Sequence, residues 1–287
     1  MTDLEQTTTE HAAPVEAWDA IAALYDEHVA PGETDLAAVG LHLAGVKAGD
    51  RFLDVAAGPG GLGLPAARLG ASVLATDWSP RMIERFEARA RAEGLDAEGR
   101  VMDCRALALP DDSFDVAGSQ FGVMLVPDQP QALREMVRVT RPGGRVFLIA
   151  YGDPAEFEAL QFFLAAVRAV VPGFEGPAED EPILEFQVAD PCVMRQRLID
   201  AGLTDVIVAT DSQERIAVRS GQELWDWTIG GNPIPSMIVA DLSDEQRADI
   251  VRVLDGMVQE RSGGDGAAVL TAPLTIGVGT LSSGTRA

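Results

Sequence analysis

Between residues 50 and 150, short apolar runs alternate with longer segments whose apolar residues recur every three or four positions. The first run, 52–55, ends in glycines and leads into an Ala/Leu/Arg segment, which predicts a strand, a tight turn and the start of a helix. Strands that alternate with helices at these lengths predict an α/β fold with a mostly parallel, doubly wound sheet. Four more strands are predicted here, at 72–77, 100–103, 114–121 and 145–150.

The flanking segments also carry helical spacing. Residues 15–30 are predicted to form a helix that Pro31-Gly32 ends, and Thr34 is expected to cap a second helix that Gly45 closes. Further helices are predicted at 154–171, 189–201 and 243–260, a loop at 230–235, and strands at 204–209 and 267–276, which bring the sheet to seven strands.

The glycine turn after the first strand is the clearest indication of a ligand site. Gly58-Pro-Gly60-Gly-Leu-Gly63 matches the pattern G-x-G-x-x-G of dinucleotide-dependent oxidoreductases, and Asp77 follows at the expected spacing. Glycines let the backbone approach a ligand closely, and the following helix offers free N–H groups. The glycine pattern alone leaves the kind of nucleotide open. Asp54, just before the turn, argues against a ligand with a pyrophosphate because like charges repel.

The same stretch resembles motif I of the class I S-adenosylmethionine-dependent methyltransferases, D/E-x-G-x-G-x-G. Here it is Asp54-Val-Ala56-Ala-Gly58-Pro-Gly60, with Ala56 in place of the first glycine. The most similar group is the ubiquinone/menaquinone-biosynthesis-like small-molecule methyltransferases. Three later blocks are similar to that family's D-x-S-x-x-M, D-A-x-x-L-P and E-x-x-R-V-L-R-P-G-G, namely Asp77-Trp-Ser-Pro-Arg-Met82, Asp103-Cys-Arg-Ala-Leu-Ala-Leu-Pro110 and Glu135-Met-Val-Arg-Val-Thr-Arg-Pro-Gly-Gly144.

The resemblance implies a Rossmann-like class I fold, S-adenosylmethionine as cofactor, and methyl transfer to a hydrophobic, natural-product-like or quinone-like small molecule. Asp77 would bind the ribose hydroxyls and Asp54 the amino end of the methionine part. An NAD(P)-dependent oxidoreductase and a non-catalytic adenosylmethionine-binding protein are the alternatives. The implied cofactor-binding residues are Asp54, Ala56, Gly58, Gly60, Asp77, Trp78, Met82, Asp103, Cys104, Ser119, Gln120 and Phe121.

Composition and charge limit the kinds of partner that we expect the protein to bind. The chain has 22 Lys and Arg against 45 Asp and Glu, a net charge of −23 that would repel nucleic acid. No apolar run approaches the ~20 residues that span a bilayer, so no membrane contact is expected. Cys104 and Cys192 lack metal-like or disulfide spacing, which favours a cytoplasmic setting and no metal. The sequence leaves open whether the chain forms a homo-oligomer.

No residue is marked as a catalytic base. The candidates are His28 and Tyr25 on the first helix, whereas His42 is expected to be packed. The predicted organisation is a disordered tail over 1–13, an N-terminal helical lid over 14–46, a cofactor-binding core over 47–152, helical cap insertions over 153–190 and 220–262, and completion of the sheet by 191–219 and 263–287.

Overall fold

The central sheet follows the predicted doubly wound plan. A computed structural model describes residues 13–176, 183–264 and 266–283, and in these ranges eight strands lie in one sheet. Its order is β3-β2-β1-β4-β5-β8-β6; the first five strands are parallel and β8 runs antiparallel to both β5 and β6. The strands are β1 Arg51–Val55, β2 Ser72–Asp77, β3 Ala97–Val101, β4 Phe114–Gln120, β5 Thr140–Tyr151, β6 Leu203–Ala209, β7 Gln213–Val218 and β8 Ala268–Leu281.

Helices cover the sheet and extend beyond it. None of those described is both long and apolar enough to cross a membrane. They are α1 Val15–Leu24, α2 Ala30–Leu43, α3 Gly63–Arg68, α4 Pro80–Glu93, α5 Gln129–Val139, α6 Glu158–Val170, α7 Pro191–Asp200, α8 Gly221–Gly231, α9 Pro233–Ile238 and α10 Asp244–Ser262.

The N-terminal helical segment is continuous where the sequence predicts a break at Pro31-Gly32. A π-helical turn, Tyr25–Val29, joins α1 to α2, and Pro31 stands in the first turn of α2. Proline is tolerated there because the first N–H groups of a helix have no partner within that helix. We call residues 15–43 the lid.

Two further predictions need correction. Strand β7 is additional to the seven predicted; it pairs with the first half of β8, beyond the point where Tyr151 ends β5. The predicted loop 230–235 is largely helical, since α8 and α9 are separated there only by Asn232. Strand β3 lies a few residues before its predicted position.

The apolar side chains form two clusters that share β8. The larger cluster lies between the central sheet and the helices on its two faces, with Phe52, Phe86 and Phe147 fully buried. The smaller joins α6, α8 and α10 to β7 and the first half of β8, around Phe163 and Leu270. The cap insertions therefore have a core of their own.

Parts of the predicted organisation fall outside the described residues. They include all of the predicted tail except Ala13, residues 177–182 of the first cap insertion, and residues 265 and 284–287. The prediction of a disordered tail remains untested.

Candidate active site

A cleft opens at the carboxyl ends of β1, β2 and β4, beneath the lid, with a volume of about 870 Å³ counted to its open mouth. In doubly wound sheets this edge is where ligands bind. All of the implied cofactor-binding residues line it except Gly60 and Ser119. The lining also includes Trp18, Tyr25, Glu33, Ala57, Gly61, Leu62, Met102, Arg105, Gly122, Leu125, Val126 and Pro127.

Gly60 and Ser119 shape the cleft from behind its surface. Gly60 has a φ of 104°, and a Cβ there would lie 2.8 Å from atoms of Leu64 and Phe86, so only glycine fits this packing. The Ser119 hydroxyl accepts the backbone N–H of Val123 at 3.0 Å and holds the loop that follows β4. Their predicted contact with a cofactor remains untested.

Asp77 is fixed at the end of β2 by two backbone amides. The N–H of Gly58 donates to one carboxylate oxygen and the N–H of Ser79 to the other, each at 2.9 Å. Burial raises the pKa of Asp77 to about 6, against the lowering effect of these amides. Because a carboxylate offers about four acceptor positions, the oriented group still has capacity for two hydroxyl donors.

Asp54 lies fully buried beneath the glycine turn. Among the described residues, neither of its carboxylate oxygens has a hydrogen-bond partner. Burial raises the pKa of Asp54 to about 8; the nearby amide of Gly63 opposes that rise, and Asp77 and Glu33 add to it. A buried polar group without a partner is costly, which indicates that a donor completes it.

The far end of the cleft is formed by Trp78, Met82 and the segment 102–105. Met82 is buried and Trp78 half-buried at the start of α4, where Ser79 caps the helix and Pro80 occupies its first turn, as predicted. Burial raises the pKa of the Cys104 thiol to about 12, so that thiol is neutral. Asp103 accepts hydrogen bonds from the Arg105 guanidinium at 2.8 to 3.2 Å.

Two residues of the cleft have left-handed backbone conformations that favour glycine. Ala56 has a φ of 53° and Phe121 a φ of 58°. Phe121 stacks on Tyr151 with ring centroids 4.5 Å apart. Non-glycine residues in this region store strain, and they cluster at ligand sites.

The lid contributes a carboxylate that sequence reasoning missed. Glu33 is buried in the first turn of α2 and accepts the hydroxyl hydrogen of Tyr25. Gln120 donates its amide to the backbone carbonyl of Glu33 at 3.0 Å. Burial raises the pKa of Glu33 to about 7 and also holds the pKa of Tyr25 well above its usual value. Nothing in the local sequence marks Glu33, because its neighbours come from distant segments.

The histidine candidates do not enter the cleft. His28 is half-buried and does not line it, so Tyr25 alone of the two base candidates does. His42 is exposed, and the expectation that it packs was wrong. All lining residues fall within 18–127, so the cap insertions contribute none.

The lining of the cleft is rich in acidic side chains. They are the carboxyl groups of Glu33, Asp54, Asp77 and Asp103, and the one cation of the described lining, Arg105, is paired with Asp103. Within the described ranges no group of three or more His, Cys, Asp or Glu side chains is placed to hold a metal ion.

Known proteins share this architecture. The methyltransferase domain family matches residues 53–148. An uncharacterised protein of Mycobacterium tuberculosis is 42% identical over 129 residues, which are 45% of this chain and 46% of that protein. The ubiquinone/menaquinone biosynthesis C-methyltransferase of Bdellovibrio bacteriovorus is 38% identical over 112 residues, 38% of this chain and 48% of that enzyme. The YcgJ protein from Bacillus subtilis superposes with a TM-score of 0.56 at 17% identity, covering 86% of this chain and 98% of that structure.

The sheet order and the position of the glycine turn define a Rossmann-like fold. Within that class, residues 53–148 match the methyltransferase domain family, so the predicted resemblance is confirmed for this stretch. The chain matches about half the length of the curated relatives named above.

Proposed function

We propose that this protein transfers a methyl group from S-adenosylmethionine to a small-molecule acceptor. The observation that carries the proposal is the acidic lining of the cleft, where four carboxyl groups face one paired arginine. Adenosylmethionine has a sulfonium, an ammonium and a carboxylate group and no phosphate, so it is a net cation whose ammonium can donate to carboxyl oxygens. The pyrophosphate of a dinucleotide would bring negative charge and no hydrogen-bond donor to the buried, unpartnered oxygens of Asp54.

Residues of the cleft can be assigned to the ribose, the adenine and the amino group of this cofactor. Asp77, oriented by the amides of Gly58 and Ser79, would accept the two ribose hydroxyls. Trp78 and Met82 would hold the adenine ring, with Asp103 and Cys104 at its edge. The unpartnered oxygens of Asp54 would accept from the amino end.

Rate acceleration would come mainly from alignment. The cofactor supplies an activated methyl group, and the protein has to hold the acceptor in line with it and keep water out. Orientation of this kind can supply up to ~7–11 kcal/mol. Tyr25 is a poor base because its hydroxyl already donates to Glu33 and its pKa is held high, so we expect it to orient rather than deprotonate an acceptor.

The acceptor is proposed to be a hydrophobic small molecule, natural-product-like or quinone-like. The loop after β4 places the apolar side chains of Phe121, Leu125, Val126 and Pro127 at the cleft. Apolar side chains at this side of the cleft suit such a ligand. The relative from Bdellovibrio bacteriovorus is named for quinone biosynthesis, which favours the same class of acceptor.

Calorimetric titration with adenosylmethionine, its demethylated product adenosylhomocysteine, and NAD tests the proposal. We expect heat of binding for the first two and none for NAD. Binding of NAD alone would instead support an NAD(P)-dependent oxidoreductase. Transfer of labelled methyl from adenosylmethionine to components of a metabolite extract would separate an enzyme from a non-catalytic adenosylmethionine-binding protein.

A further inference from the structure

The lid rests directly on the glycine turn. The Tyr25 ring lies 4.0 Å from the position that a Cβ on Gly58 would take, and a carboxylate oxygen of Glu33 lies 2.5 Å from the corresponding position on Gly61. Gly61 therefore leaves the room that Glu33 occupies, whereas Tyr25 lies at ordinary contact distance from Gly58. A ligand that lies over the glycine turn at this end of the cleft would contact Glu33.

This end of the cleft offers hydrogen-bond acceptors that lack donors. Asp54 and Gln120 are 0% and 8% exposed, and both line the cleft. Within the described part of the chain, both carboxylate oxygens of Asp54 and the amide oxygen of Gln120 are unpartnered. Glu33 is 5% exposed, and the hydroxyl of Tyr25 is the one side-chain donor to its carboxylate in the same described part of the chain. The cation of the cleft, Arg105, stands at the adenine end against Asp103.

Three acceptor-bearing side chains of one cleft, those of Glu33, Asp54 and Gln120, match the chemistry of a primary ammonium group, which has three donors and a positive charge. We propose that Glu33 of the lid, with Asp54 and Gln120, binds the α-ammonium group at the amino-acid end of the cofactor. The inference rests on the proposed function and extends it, because it makes the lid part of the cofactor site. Glu33 would then serve the cofactor and not the acceptor.

Binding of the ammonium group would be coupled to proton release. Burial favours the neutral form of Glu33, and the groups that face it are Tyr25, Asp54, Glu214 and Arg89. Arg89 is itself paired with Asp26 at 2.9 Å, so its charge is shared. An ammonium group between Glu33 and Asp54 lowers the pKa of both carboxyls. At pH 7 the folded protein therefore releases protons as the cofactor binds.

The test compares two ligands that differ only at the amino-acid end. Adenosylhomocysteine carries the ammonium group, whereas 5′-methylthioadenosine has the same nucleoside and thioether without it. Glu33→Gln keeps an acceptor for Tyr25 but removes the charge. We expect it to weaken adenosylhomocysteine binding by about tenfold or more and to leave methylthioadenosine binding unchanged, since hydrogen bonds to charged groups are the strong ones.

Glu185→Gln is the matched control. Glu185 is also buried and accepts from the side-chain amide of Asn232, yet it does not line the cleft. We expect this variant to bind both ligands as the unmodified protein does. Titrations in buffers of different ionisation enthalpy should also show fewer protons released per adenosylhomocysteine in Glu33→Gln than in Glu185→Gln.

The inference would be overturned if a folded Glu33→Gln variant bound both ligands equally more weakly, or bound both as tightly as the unmodified protein. The proposed function would still stand in either case. Failure of the unmodified protein to bind either ligand would overturn the proposed function together with it. If Glu33→Gln does not fold, Glu33→Asp serves in its place, because the shorter carboxylate should weaken adenosylhomocysteine binding alone.

Discussion

Ala56 stands where the methyltransferase motif has glycine, and it adopts a left-handed conformation with a φ of 53°. An alanine in this conformation costs roughly 1–2 kcal/mol because its Cβ crowds the following carbonyl. We therefore predict that Ala56→Gly raises the free energy of unfolding by about 1 kcal/mol. Urea unfolding followed by circular dichroism measures the change.

Ala88→Gly provides the opposite control for that substitution. Ala88 is exposed within α4, where glycine should lower the free energy of unfolding by about 0.5–1 kcal/mol. If Ala56→Gly lowers the free energy of unfolding, as Ala88→Gly should, Ala56 carries no backbone strain that glycine relieves.

Site residues next to strand ends could be predicted from the sequence, and residues brought in from elsewhere could not. Asp54 and Asp77 each sit beside the carboxyl end of a readable apolar run, and such ends meet at one edge of a parallel sheet. Glu33 lies in a short polar stretch between a proline and a threonine. Its proximity to Gly61 depends on how the lid crosses the sheet, which no local pattern encodes.

At the scale of elements, α2 approaches β5 closely through a glycine. A Cβ on Gly40 would lie 2.7 Å from side-chain atoms of Phe147 and Ile149. Overpacking of this kind typically costs ~1–3 kcal/mol. We predict that Gly40→Ala lowers the free energy of unfolding, although alanine is the better helix former.

Gly256→Ala is the helical control for Gly40→Ala. Gly256 lies inside α10, and a Cβ there would meet no atom within 4 Å. Alanine should raise the free energy of unfolding by about 0.5–1 kcal/mol. Paired thermal melts of the two variants give the comparison; shifts of the same sign would contradict the close approach of α2.

The same scale shows where sequence patterns mislead. Ser79-Pro80 marks the start of a helix correctly, whereas Pro31-Gly32 looks like a stop and lies inside the first turn of α2. Strand β7 escaped prediction because one of its three inward positions is Glu214, which hides the alternation that Ile216 and Val218 continue. In both cases tertiary contacts override a local preference.

At the scale of the molecule, several buried carboxyl groups make the folded protein more stable at lower pH. Burial raises the pKa of Asp54 to about 8, of Glu33, Glu185 and Glu214 to about 7, and of Asp77 to about 6. Between their ordinary values and these raised ones the folded protein holds protons that the unfolded chain has lost. The free energy of unfolding therefore falls as pH rises through this window and levels off above about pH 8.

We predict a higher melting temperature at pH 6 than at pH 8.5 for the ligand-free protein, measured by scanning calorimetry. Arginine partners lower the pKa of other carboxyl groups, such as those of Glu93 and Glu135. These groups change the free energy of unfolding only below about pH 4.5, so they do not affect the comparison between pH 6 and pH 8.5. Asp54→Asn should reduce the difference between the two temperatures. A profile that is flat from pH 6 to 8.5 would show that these carboxyls are ionised in the folded protein.

Strand β8 also governs when the molecule can fold during its synthesis. Among the residues that the structure describes it is the last strand, yet it lies between β5 and β6 and pairs with β7 as well. Until the ribosome has released residues 268–281, β5 has an open edge and neither β6 nor β7 has a strand to pair with. Chains grow at ≈ 5–20 residues per second, so these edges stay open for seconds, and exposed edges are where chains join one another. The nascent protein therefore remains exposed to aggregation until β8 has been released and has paired with its neighbours.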